Sequence, residues 1–148
     1  MVNREFVVRK MRLIGEDLER LAPIGTLPLE AYLADPKYEA LAERYLERMI
    51  GRMIDVNYHV IVESGNAPPK DYHESFVRLG TLGILEAMFA RQLAAAAGLR
   101  NRIVHEYNEL EEEKVYTAIQ SSLRDIPMYL KQVKTHLDRI AGASDERS

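Results

Sequence analysis

Apolar residues recur along this chain at alternating gaps of four and three. Val7, Met11, Ile14, Leu18 and Leu21 form one such stripe, the period of an amphipathic helix, and predict a first helix. Pro23, Gly25 and Pro28 break the pattern, so Ala22 to Ala34 reads as a loop. Asp35 then offers a cap, and Pro36 fits the first helical position, where a missing N–H costs nothing. A second helix is expected from Pro36 to about Val62. Met49, Met53, Val56 and Val60 share its stripe, and Leu41, Tyr45, Leu46, Ile50 and Ile54 widen it. A face that broad exceeds what one partner helix covers, which marks either a central helix or a self-association surface.

Ser64 to Lys70 is turn chemistry, and Asp71 with Glu74 has the spacing of a capping box, so a third helix is predicted from Tyr72. Gly80 and Gly83 cut it short. Leu82, Leu85, Phe89 and Leu93 resume the stripe in a fourth helix that runs through Ala94 to Ala97 and Gly98, where small side chains permit close helix approach. Asn108 with Glu111 repeats the capping signature. The fifth stripe, from Val115 through Ile126 to Ile140, keeps register across Pro127, predicting a kink near Asp125 rather than a break. Gly142 to Ser148 reads as a polar, frayed tail. The expected fold is an all-α bundle of four to five helices in one domain spanning residues 1–148.

The 148 residues, 47% hydrophobic and 29% charged, suit a globular domain, and the absence of cysteine removes disulfides and thiolate metal sites. No apolar run reaches membrane-spanning length and the first residues do not resemble a signal peptide, so the expected compartment is cytoplasmic, with no membrane partner. A net charge of −3 argues against a general nucleic-acid coat while leaving room for a local basic site. His59, His73, His105 and His136 lack the spacing of zinc helices, and no phosphate loop or serine elbow is present, so neither a metal nor a cofactor is expected. His59 reads as a core or interface histidine; His73 and His136 read as exposed.

One segment interrupts the apolar pattern densely: Arg100-Asn101-Arg102-Ile103-Val104-His105-Glu106-Tyr107. On a helix Asn101 and His105 share a face, so the amide can orient the imidazole, and Arg100 lies about 140° from His105. An imidazole that takes a proton from a 2′-hydroxyl, beside guanidinium groups that hold the scissile phosphate, suits RNA cleavage without a metal. One histidine does not readily serve as both base and acid, so a symmetric dimer would supply the second. Pairing of Arg100 and Arg102 with Glu106 and Glu109, with His105 capping a helix end, fits the same periodicity. Arg44, Arg48 and Arg52 form a basic stripe. Pairing with Glu43, Glu47 and Asp55 on the same helix accounts for Arg48 and Arg52 and leaves Arg44 as an RNA-groove candidate.

Arg100 to Tyr107 resembles the R-N-x3-H-x-Y signature of HEPN-domain proteins, specifically HepT-like toxins of HepT/MntA toxin–antitoxin systems. Glu43-Arg44-Tyr45-Leu46 with Ile50 and Ile54-Asp55-Val56 is similar to the family's second-helix pattern. Pro69-Lys70-Asp71-Tyr72 with Phe76 resembles the segment after its Gly-Pro loop. The resemblance implies an up-and-down HEPN bundle and a homodimer whose two motifs face one cleft in a metal-independent ribonuclease. Arg100 would hold phosphate, Asn101 would orient His105, and His105 would be the acid/base; Arg44 and Arg102 would contact RNA. It also implies a nucleotidyltransferase antitoxin, MntA-like, that attaches AMP to Tyr107. The alternative is a non-catalytic HEPN subunit that binds nucleotide or assembles with the nucleotidyltransferase, which the net acidity and Glu109 to Glu113 favour.

Overall fold

The structure is a computed structural model that describes residues 1–105 and 112–147, with the backbone alone at 96, 97, 99–105 and 144–147. Among the described residues all regular structure is helical: α1 (Arg4–Gly25), α2 (Leu29–Ala34), α3 (Pro36–Glu63), α4 (Tyr72–Thr81), α5 (Ala87–His105) and α6 (Glu112–Arg147). The Asn108–Glu111 cap lies outside the described residues. None of the described helices is long and apolar enough to cross a membrane.

The expected loop from Ala22 is in part helix. Ile24 is buried and adds one step to the Leu21 stripe, and α1 closes only where the Thr26 N–H donates to the Ala22 carbonyl at 3.1 Å. The turn α2 exists because Tyr32 is drawn wholly into the core against the Tyr116 ring, 5.2 Å between centroids. The α3 helix starts as predicted, with Asp35 accepting from the Lys37 N–H at 3.0 Å. It is the central helix: Leu46, Met49, Ile50, Met53, Val56, Val60 and Ile61 are buried as α1, α2, α4, α5 and α6 pack around it.

Arg48 and Arg52 do not pair within their own helix. Both reach Asp17 on α1, Arg48 Nε at 3.3 Å and Arg52 Nη1 at 2.8 Å, while Arg20 donates to its other oxygen at 3.1 Å. Asp17 is 0% exposed. It falls on the apolar stripe three residues after Ile14, where a carboxylate survives only if its charge is met by hydrogen-bonded cations. Asp55, the other expected partner, pairs with Lys10 of α1 at 3.1 Å.

Asp71 caps α4, accepting from the Glu74 N–H at 2.7 Å. The return bond of the predicted box goes one residue further back, with Glu74 accepting from the Lys70 N–H at 3.0 Å. The fourth long helix starts at Ala87 rather than Leu82, because Gly83, at φ +74°, turns the chain through a conformation that side-chain-bearing residues disfavour. Close approach of α4 and α5 depends on Gly80, whose added Cβ would stand 2.9 Å from Ala90 Cβ. The α6 helix continues through Pro127, which removes a single backbone donor. It is tied to α3 by Tyr129, whose hydroxyl donates to Asn57 Oδ1 at 2.6 Å, while Asn57 Nδ2 donates to Ser75 Oγ at 3.2 Å.

Candidate active site

The helix that carries the motif is set at its start by Glu86. Its carboxylate accepts from the N–H groups of Met88 and Phe89, at 3.1 and 2.9 Å, and its own N–H donates to Gln132 of α6 at 2.9 Å. From there α5 runs unbroken to His105, so the segment is helical, the condition on which the shared face of Asn101 and His105 rests.

The rotation of α5 is fixed by its described half. Phe89, Ala90, Leu93 and Ala94 are buried, while Arg91, Gln92, Ala95 and Gly98 are exposed. At about 100° per residue, the buried face continues through positions 100, 101 and 104; position 102 falls roughly opposite, and 105 about a quarter-turn off the face. The backbone therefore separates the two arginine positions. Positions 100 and 101 continue the side turned to α3, position 105 follows along its edge, and position 102 is on the outer side. Tyr107 lies outside the described residues.

Beside this helix is a cleft of about 650 Å³, walled by Ile50 and Met53 of α3, Leu93 and Ala95 of α5, and Ser121 and Asp125 of α6. It lies on the path leading to the motif end of α5.

At that end of the bundle four acidic groups gather that the sequence reading did not single out as a site. Glu43 of α3 is 3% exposed, and Glu39 stands one turn before it. Glu39 hydrogen-bonds with Glu112, the first residue of α6, and with Glu43. Its carboxyl is pushed up to about 7, by burial first, then by the bond and charge of Glu112, then by Glu43. The Tyr32 phenol, 1% exposed and without a hydrogen-bond partner among the described residues, is pushed well above its ordinary range by burial and then by Glu39, Glu43 and Glu112. A signal was present in the sequence: Glu43 stands three residues before Leu46 and seven before Ile50, on the buried stripe itself.

Arg44 is exposed on the neighbouring flank of α3. His59 is held as a structural histidine, its Nε2 accepting from the Asn3 N–H at 2.9 Å and its ring 4.6 Å from that of Phe6. His73 is exposed as expected. His136 is not: its Nε2 is buried without a partner among the described residues, and burial, then Arg139, lowers its pKa. No group of three or more His, Asp or Glu side chains among the described residues could hold a metal ion.

A central α3 ringed by the other helices, with an arginine–asparagine–histidine segment in the last turns of α5, defines a HEPN-type bundle. The family model for ribonuclease HepT-like proteins matches residues 14–133, and the chain belongs to that family. Among its relatives, a tRNA nuclease HepT of Aphanizomenon flos-aquae is 31% identical over 147 residues, covering 98% of this chain and 100% of the relative. An mRNA nuclease HepT of Shewanella oneidensis is 27% identical over 89 residues, covering 60% of this chain and 67% of its own. The solved structure of a tri-AMPylated Shewanella oneidensis HEPN toxin in complex with MNT antitoxin shares the fold, with a TM-score of 0.80 at 21% identity over 90% of this chain and 99% of that one.

Proposed function

We propose that this protein is the toxin of a HepT/MntA-type toxin–antitoxin pair. It is a ribonuclease that cleaves RNA phosphodiester bonds at a cleft between two copies of the chain, and a nucleotidyltransferase silences it by attaching AMP to Tyr107. The observation that carries this reading is the unbroken course of α5 to His105, which puts positions 101 and 105 on one flank, about 40° apart, and position 100 on the adjoining buried face. The family membership and the nuclease relatives support it.

In this mechanism His105 of one copy takes the proton from a ribose 2′-hydroxyl as that oxygen attacks the adjacent phosphorus. The phosphorus–5′-oxygen bond breaks, leaving a 2′,3′-cyclic phosphate, and the departing oxygen takes a proton from the second copy's histidine. Arg100 compensates the charge that builds on the phosphoryl oxygens. A fixed guanidinium performs that task without a metal ion. Asn101 fixes the imidazole tautomer. Arg102, on the outer side of α5, and Arg44, exposed on α3, bind RNA backbone at a distance from the scissile bond.

Silencing follows from charge. Tyr107 is two residues beyond His105, and each AMP attached there adds a phosphate where the RNA backbone must pass. The AMPylated HEPN toxin bound to its MNT antitoxin supports this partner and this modification.

Growth on induced expression tests the toxin reading. Wild-type protein is expected to arrest growth, and co-expression of the neighbouring nucleotidyltransferase to relieve the arrest. His105→Ala should be harmless at equal protein level. Arrest by the alanine variant would overturn the reading.

A further inference from the structure

Glu39, Glu43 and Glu112 converge beside the buried Tyr32 phenol, from three helices that otherwise have no reason to bring like charges together. Like charges in a site of low dielectric are costly unless a cation is supplied. The three carboxylates lack the geometry of a metal site. Tyr32, 1% exposed and without a hydrogen-bond partner among the described residues, is a further polar group of the same enclosure.

The helix register identifies the cation. α3 and α6 run parallel, since Glu39 meets Glu112 and Met53 meets Tyr129. α5 runs against α6, since Glu86 meets Gln132 and the chain returns from His105 to Glu112 within a short link. α5 is therefore antiparallel to α3. Leu93 and Ile50 wall the same cleft. Two turns on from Leu93 is position 100, and two turns back from Ile50 is Glu43, so each step moves about 10.5 Å along its axis toward the same end of the bundle. Position 100 is also on the face of α5 that continues from buried Leu93 and Ala94.

We infer that Glu43, backed by Glu39, is a positioning residue that seats the guanidinium of Arg100 and turns its free edge toward the scissile phosphate. A guanidinium offers five donors, so two can be held by a carboxylate while others remain for phosphate oxygens. The buried carboxylate removes the rotamer freedom that would otherwise be lost on substrate binding. This role rests on the proposed ribonuclease function, while the seat itself is measurable without RNA.

The test is the Arg Nε–Hε spectrum of the full-length, 15N-labelled protein, with the Arg100 signal identified by its loss in Arg100→Lys. That signal is expected to be resolved and slow to exchange with water in the wild type. In Glu43→Gln it should move and exchange about tenfold faster as one charge-assisted bond is lost. If Glu43→Gln does not fold, the reciprocal measurement decides: in Arg100→Met the side-chain carboxyl signals of Glu39 and Glu43 should titrate about 1–3 units higher than in wild type. An Arg100 signal unaffected by Glu43→Gln, or carboxyl titrations unaffected by Arg100→Met, would overturn the seat whether or not the protein cuts RNA. In the cleavage assay Glu43→Gln should lower kcat about tenfold or more with KM little changed, and Glu43→Asp should recover part of it. An equal fall in kcat and rise in KM, unrecovered by Asp, would reduce Glu43 to a structural residue. A wild type inert toward RNA with the seat intact would refute the ribonuclease reading alone.

Discussion

Glu39, one turn into α3, is hydrogen-bonded to Glu112, the first residue of α6, and the pair closes the bundle where the chain returns from the motif. Two carboxyl groups bond in this way only while a proton is shared between them.

That contact makes stability depend on pH in a definite direction. Glu39 has an ordinary value of 4.5 and a folded value of about 7, so between those limits the folded protein keeps a proton that the unfolded chain has released. Stability contributed by this group is therefore full below about pH 4.5, falls as pH rises, and is gone above about 7. Relative to Glu39→Gln, the wild-type Tm should decline steadily from pH 4.5 to 7 and then level. A difference that is flat, or that grows with pH, would contradict the shared proton.

Asp17 is the anchor of the α1–α3 seam. Asp17→Ala leaves Arg48 and Arg52 without their carboxylate and should cost about 3 kcal/mol, the lower end for a broken buried pair because Arg20 and Arg48 reach solvent. Tyr129→Phe removes the donor to Asn57 and should cost about 1–3 kcal/mol. Urea unfolding followed by circular dichroism measures both, and a loss under 0.5 kcal/mol in either, about the range of surface changes, would show that the bond has no net weight.

How much of this was legible in the sequence follows from what periodicity can register. The stripes gave α3 its boundaries and its central place, and the caps at Asp35 and Asp71 were readable because local spacing alone sets them. Ala22 to Ala34 was misread because proline and glycine mark local preference, whereas burial of Ile24 and Tyr32 by distant residues decides the outcome. The Asp17 and Glu43 carboxylates stood in plain view on apolar stripes, but their partners lie on other helices, and pairing across helices leaves no spacing signature. Arg100, Asn101 and His105 were found from residue type. Their rotation on α5 became definite only once Leu93 and Ala94 were known to be buried.

Self-association follows from the composite cleft. Sedimentation should show a homodimer at micromolar concentration, with contact through α5 and the adjoining surface of α3. Met53→Glu puts a charge into the cleft wall at a buried position and could unfold the chain, so exposed Ala95→Arg is the better probe. It should shift the protein toward monomer and abolish RNA cleavage together. A monomer that still cleaves would contradict a site built from two copies.

Modification is checked by intact mass. Incubation with the nucleotidyltransferase, ATP and magnesium should add whole AMP units to the wild type and none to Tyr107→Phe, and the modified protein should lose RNA binding as phosphate charge accumulates. An identical adduct on the Phe variant would place the modification elsewhere.

The central claim, that Arg100 and His105 cut RNA by fixed charge and proton transfer, is tested by incubating purified protein with RNA in excess chelator and comparing wild type, Arg100→Ala and His105→Ala, with circular dichroism confirming that each is folded. The expected result is cleavage by the wild type in chelator, with a 2′,3′-cyclic phosphate at the new end, and a loss of about 10²-fold or more in each variant. Undiminished cleavage by His105→Ala, or wild-type cleavage that disappears in chelator, would contradict it.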